Sequence, residues 1–536
     1  MQVAETRGEN LAPSLLTTRD GRLDLFFKLV RDIAHIPSGL RKRKKLIDER
    51  EGATPYHMQY AALFGLIDGS WSISRLDTMR ILFNWRDCRG GKGDYWGFYH
   101  AIIHVIDIGY EWFAANLECI PHYGRFLDLV VLWHLLGSRL VMSPNNQNYI
   151  NAQSLILNYL AEKLRTDQQL LQGESKNDIS LLAKWLPTEG GRWDVPEAKY
   201  LEENPKYVNT LSFCKEFCRV LFSRSTAASA DDLKRYRKEF LVPLRRHIDI
   251  VESHLVERRY TDIEYSEVPS VAMYKYREAF KSNDSERFTA FMEKVKSGES
   301  KIKYSQVYPH DLVRVFLNSY CLTEDEVVEA QWKALKQKIQ ETGAFKDCLV
   351  VCDVSGSMEG TPMEVAIALG LLGLHNNKVI TFSKDPRLHD IPEGSLRSQV
   401  DNIRRMDWGM NTDIVKVFDL VLDLSKRERS KIRKLFIFSD MQFDEAVGQE
   451  QKTHMEIIRQ RYAEADVVMP QIIFWNLRGE TMDFPVRQDE QGVVLLSGYS
   501  PSILTSIVDG ELPNPLKTLI GLINGNRYAL VKEPAK

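Results

Sequence analysis

A chain of 536 residues with 44% hydrophobic content has material for roughly two to four packed cores, which excludes a wholly disordered polypeptide. Lys plus Arg number 71 against 73 Asp plus Glu, so the formal net charge of -2 singles out neither a polyanionic nor a polycationic partner. Seven cysteines without a Cys-x-x-Cys pair argue against a disulfide framework or zinc ribbon, and no uncharged apolar run reaches about 18 residues, so a soluble cytoplasmic protein without a membrane span is expected.

Residues 1–20 read as a polar tail. From about residue 22 to residue 339 apolar residues recur at helical spacing, as in Leu23, Phe26, Phe27 and Val30, or Leu76, Met79, Leu82 and Phe83. Further helices are expected over 95–108, 126–136, 151–164, 211–221, 234–255 and 286–295. Cys214 and Cys218 lie one helical turn apart with no second ligand pair, and are read as apolar packing. No fixed repeat period emerges, so any solenoid built from these helices has degenerate repeats.

Three basic elements punctuate this region. Arg41-Lys42-Arg43-Lys44-Lys45 is a run of cations that serves either as a solvated or targeting segment or as a nucleic-acid contact. The turn 84–94 carries Arg86, Arg89 and Lys92 among Gly90, Gly91 and Gly93, a composition suited to phosphate oxygens or to an interhelical turn. It is not a P-loop, because Lys92 is followed by Gly93 instead of Ser or Thr and no strand precedes it. Tyr123-Gly124-Arg125-Phe126 places a cation among aromatics, a mixture that stacks on unpaired bases or packs helix ends.

From residue 344 the pattern changes. Short β-branched or aromatic runs at 349–352, 379–382, 435–438, 472–475 and 493–496 alternate with helical stretches, which predicts a mostly parallel α/β sheet. Such sheets bind ligands beyond the carboxyl ends of their strands, where Asp353 and Asp440 fall. Asp353, Ser355 and Ser357 present a carboxylate and two hydroxyls at i, i+2 and i+4 on a turn tightened by Gly356. These hard oxygens serve a divalent cation or, alternatively, cap the helix that begins near Pro362. A nucleophile elbow would need glycines at the positions that Asp353 and Ser357 occupy.

Asp353, Ser355, Ser357, Thr412 and Asp440 resemble, in order and placement, the metal-ion-dependent adhesion site of von Willebrand factor A domains. The resemblance covers roughly residues 344–536 and implies Mg²⁺ or Mn²⁺ bound by those five residues, with Asn411 standing where many members have Gly. The element Arg86-Asp87-Cys88-Arg89-Gly90-Gly91-Lys92-Gly93, joined to such a domain, resembles the Ro autoantigen and its TROVE relatives, in which a ring of helical repeats holds noncoding RNA. More closely, residues 23–31, Tyr123-Gly124-Arg125, residues 270–277, Tyr308-Pro309-His310 and residues 439–444 are similar to an uncharacterised family of the same layout, domain of unknown function 2828.

These resemblances imply a multidomain α plus α/β protein. A tail (1–20) precedes an all-α, HEAT-like helical-repeat region (21–343) shaped as a ring or horseshoe, followed by an α/β von Willebrand factor A (Rossmann-like) domain (344–536). The function expected is non-enzymatic RNA binding within a ribonucleoprotein, with Arg86, Arg89 and Lys92, joined by Lys42, Lys44 and Arg125, on phosphates. The alternative is an adaptor whose cation captures an acidic residue of a protein partner. A metallo-hydrolase would require a general base or nucleophile beside the ion, and the sequence offers none.

Overall fold

The computed structural model describes residues 5–7, 13–30, 55–173, 178–197, 201, 208–317, 324–374, 377–381, 386–405, 413–428, 432–443, 454–479, 484–502 and 514–535. The chain forms two compact units, one of residues 1–94 and 264–528, the other of residues 95–263 and 529–536.

In the first unit a short antiparallel ribbon, β1 (Glu5–Arg7) and β2 (Pro13–Leu15), precedes a six-stranded sheet. The sheet comprises β3 (Cys348–Cys352), β4 (Lys378–Thr381), β5 (Arg387–Asp390), β6 (Lys434–Ser439), β7 (Gln471–Asn476) and β8 (Val493–Ser497) in the order β5-β4-β3-β6-β7-β8. All pairs are parallel except β4 with β5. Strands covered on both faces read as continuous apolar runs, and β3 and β8 are buried throughout. The edge strand β5, Arg-Leu-His-Asp, is half-exposed, which is why no apolar run announced it.

The strand order reverses between β3 and β6, the place where doubly wound sheets open a crevice. Helix Thr361–Leu372, with Pro362 in its first turn, packs on β3 and β6 and is itself covered by helix Pro309–Leu317, so that it is buried almost all round. Helix Gly21–Lys28 packs against β8 and against helix Pro515–Ile523. Segments on both sides of residue 344 therefore share one core, and the compact unit is not the 344–536 segment defined by the change of pattern.

The second unit is helical. The stretches expected over 126–136 and 151–164 extend to Phe126–Met142 and Gln147–Gln172, and that over 211–221 is Phe213–Leu221. Helix Trp96–Ala115 runs beyond 95–108 across a kink at Gly109. The single helix expected over 234–255 is divided instead. A π-helical turn, Tyr236–Leu241, leads into Val242–Ile248, and Asp249 in the left-handed region (φ 53°) separates this from Val251–Val256. Among the described residues no helix is long and apolar enough to cross a membrane.

Candidate metal centre

Beyond the last paired residues of β3 and β6 the ladder continues for one step, with the Asp353 amide donating to the Phe438 carbonyl at 2.9 Å. That bond fixes the backbone on which the carboxylate stands. Asp353 Oδ1 accepts the Ser355 amide at 3.0 Å, and Oδ2 accepts the Ser439 hydroxyl at 2.6 Å. The Ser355 and Ser357 hydroxyls lie 3.1 Å apart, within reach of a shared partner. On the neighbouring strand end, Asp440 Oδ1 accepts the Gln442 amide at 3.1 Å, and the intervening Met441 takes a left-handed conformation (φ 67°) that a non-glycine residue adopts at a cost of about 1 kcal/mol.

Asp353, Asp440 and Ser355 are buried. Burial, and secondarily the charge of Asp440, push the Asp353 carboxyl above the ordinary carboxylate range. Two carboxylates on adjacent strand ends, joined by two hydroxyls, form a hard-oxygen donor set whose mutual repulsion a divalent cation relieves, so these residues fit Mg²⁺ or Mn²⁺. Thr412, the expected fifth ligand, lies outside the described residues. Among the described residues there is no group of three or more His, Cys, Asp or Glu side chains placed to hold a metal ion.

The glycine-rich turn has a different character. Helix Arg75–Arg86 starts at Ser74, whose hydroxyl accepts the Asp77 amide, and ends at the turn 87–94. Lys92 is buried, and its ammonium donates to the carbonyls of Phe26 and Leu29 (3.0 Å to Leu29) and to the Ser497 hydroxyl at 2.6 Å. It also sits 4.0 Å above the Phe26 ring. The two carbonyls belong to the end of helix Gly21–Lys28, so Lys92 caps that helix at its negative pole while tying it to the end of β8. Burial drives the Lys92 amine well below the ordinary lysine value.

Asp87, fully buried, takes a bidentate bond from Arg527 at 2.6 Å on each oxygen and accepts the Tyr528 hydroxyl and the amides of Arg89 and Gly90. A Cβ at Gly91 would stand 2.0 Å from the Asn84 carbonyl. At Gly93 (φ 75°) it would stand 2.0 Å from the Tyr308 hydroxyl, which donates to the Gly93 carbonyl.

The phosphate roles expected for Arg86 and Lys92 are therefore corrected. Both are buried, and the Lys92 donors are spent on internal acceptors. Arg89 is exposed. In the second unit Arg125 lies 5.4 Å from the Tyr95 ring and 5.3 Å from the Trp185 ring, 3.7 Å from buried Asp128, and remains partly exposed. Lys42 and Lys44 lie outside the described residues.

The sequence reading missed Arg478. It lies two residues beyond the end of β7, whereas Asp353 and Asp440 directly follow β3 and β6, and its Nη1 donates to the Ser357 carbonyl. The same strand-end rule that pointed to the acids points to it.

Residues 140–345 match the family model described as Domain of unknown function (DUF2828). Residues 347–516 match Domain of unknown function (DUF7788). The resemblance to the uncharacterised DUF2828 family thus holds, and the two matched segments meet where the apolar pattern changes. Uncharacterized protein L728 of Acanthamoeba polyphaga mimivirus is 29% identical over 499 residues, covering 87% of this chain and 81% of that relative. The crystal structure of the Ro (RSR) protein of Deinococcus radiodurans is 14% identical, with 86% of this chain and 94% of that one covered and a TM-score of 0.35.

Proposed function

We propose that this protein is a non-enzymatic binding protein that holds Mg²⁺ or Mn²⁺ at the ends of β3 and β6 and presents it to an acidic group of a partner. Asp353, Ser355, Ser357 and Asp440 are the ligands, with Thr412 as the fifth. A single observation carries this reading: two buried carboxylates end the two adjacent strands between which the sheet order reverses. When bound, the ion would supply a positive charge with an open position for an oxygen of the partner. Titration calorimetry with Mn²⁺ and Mg²⁺ should give saturable one-site binding that Asp353→Ala abolishes. A flat titration of the intact protein would refute the site. The reading includes no turnover, and hydrolysis of a phosphodiester or peptide that disappears in Asp353→Ala would overturn that part of it.

A second reading, RNA binding as part of a ribonucleoprotein, is favoured by Arg125 between Tyr95 and Trp185, with Lys184 5.5 Å from the Trp185 ring. Rings and cations so arranged suit an unpaired base and its phosphate. Sequencing of RNA that copurifies with the protein tests this directly, and Arg125→Ala should lower the affinity for any RNA so found by about tenfold. Absence of RNA from preparations made without nuclease would count against it.

A further inference from the structure

A pocket of about 620 Å³ opens beside the amino end of β4, at the rim of the sheet opposite the strand ends that carry Asp353 and Asp440. Its walls come from two helices and two strand ends. Lys336 and Gln340 stand one turn apart on helix Glu326–Thr342, Gln399 belongs to helix Leu396–Arg404, Asn377 directly precedes β4, and Glu393 follows β5.

These walls are tied to one another. Glu329 of the first helix accepts the amides of Leu396 at 2.7 Å and Arg397 at 3.0 Å, and so caps the second helix at its positive pole. The Ile391 amide donates to the Asn377 carbonyl at 2.7 Å, one step beyond the last paired residues of β4 and β5, with Asn377 in the left-handed region (φ 59°). Gln399 Nε2 donates to the Pro392 carbonyl at 3.4 Å. The pocket is thus formed in advance of any ligand.

Lys336 and Glu393 bring opposite charges to this space. Burial lowers the amine of half-buried Lys336, and the attraction of Glu393 offsets part of that effect without an ion pair forming between them. Neither of these side chains, nor the carboxamide of Gln340 or Asn377, makes a hydrogen bond among the described residues. An anion placed at Lys336 would restore what burial removed from the ammonium, but a lone anion is repelled by Glu393 and a lone cation by Lys336. A ligand that carries both charges meets both groups at once.

We propose that this pocket binds a zwitterionic α-amino acid, with its carboxylate on Lys336 and its ammonium on Glu393. The carboxamides of Gln340 and Asn377 both donate and accept, which suits a polar side chain. An amino acid does not fill the pocket, so water bridges part of the polar wall. The site stands apart from the cation site and does not depend on it.

L-glutamine serves as the probe, titrated by calorimetry into the full-length protein beside two analogues that each lack one charge, N-acetyl-L-glutamine and L-glutaminamide. Glutamine should bind saturably and each analogue about 10-fold more weakly, the worth of one charge-assisted hydrogen bond at a partly exposed site. Lys336→Met should weaken glutamine by about 10-fold and bind glutaminamide, which has no carboxylate to lose, no less tightly than the intact protein does. Glu393→Gln should weaken glutamine likewise and leave N-acetyl-L-glutamine no weaker.

No saturable binding of glutamine by the intact protein overturns the proposal, and so does equal binding of glutamine and either analogue. Loss of all three ligands in Lys336→Met together with a lowered unfolding midpoint also overturns it, by making Lys336 a structural residue. Inorganic phosphate that binds the intact protein more tightly than glutamine would replace the zwitterion with an anion.

Discussion

Two polar, glycine-containing turns of the first unit, 84–94 and 353–357, look alike as sequences and are opposite as structures. Each follows a regular element and gathers charged or hydroxyl side chains. In the first, the ammonium of Lys92 and the carboxylate of Asp87 are consumed by Phe26, Leu29, Ser497, Arg527 and Tyr528, segments hundreds of residues apart in the chain. In the second, Asp353 and Asp440 stand at the ends of the neighbouring strands β3 and β6, between which the sheet order reverses. Charge that is fully paired inside stabilises a fold, whereas charge assembled at the open end of a sheet raises its own energy until a counter-ion arrives.

The contrast is sharpest where the expected effects are largest. Lys92→Met, which keeps the stem and deletes the ammonium, should destabilise the protein by about 3 kcal/mol, measured by denaturant unfolding, because buried carbonyls lose their donor. A full-stability Lys92→Met protein with weakened RNA binding would reverse the roles assigned to the two turns. At the other turn, Mg²⁺ in 100-fold excess over its dissociation constant should raise the unfolding free energy by about 2.7 kcal/mol and leave Asp353→Ala unmoved. An equal rise in both would place the ion elsewhere.

A third case tests burial that outweighs a nearby carboxylate, Asp194. His134, in the second unit, is buried with Nε2 2.9 Å from the Trp193 carbonyl, and desolvation pushes its pKa down to about 4. The unfolded chain, with an ordinary histidine near about 6.5, binds the proton more readily. Stability is therefore full above about pH 6.5 and falls as pH drops towards 4, by about 2 kcal/mol at pH 5. His134→Gln should flatten that stretch of the stability profile, and an unchanged slope would assign it to other groups. The smallest effect is expected at Arg125, where Ala should cost about 1 kcal/mol or less in stability, since its pairing with Asp128 is partly exposed.

Much of the sheet was legible locally. The apolar runs located β3, β4, β6, β7 and β8 because these strands are buried along most of their length, β8 included although it is an edge, while β5, at the opposite edge, escaped because its side chains are half-exposed. The acids Asp353 and Asp440 were legible for a related reason: a strand announces its own carboxyl end. Arg478 obeyed the same rule but carried no companion motif to draw attention to it. The division at Asp249 and the kink at Gly109 were not legible, because helical periodicity continues through both.

By itself, the sequence determined the two kinds of secondary structure, the point at which one replaces the other, and the donor set at the strand ends. These are properties of neighbouring residues, set by periodicity and by the chemistry of short loops. Only the tertiary structure decided that the helix at 21–28 and the turn at 84–94 share a core with the sheet, and that Lys92 faces inward. A cation and three glycines on a turn are equally compatible with a phosphate and with a buried carbonyl. The choice rests on which distant segment packs above the turn, and here Phe26, Leu29 and Ser497 meet Lys92 before any ligand can.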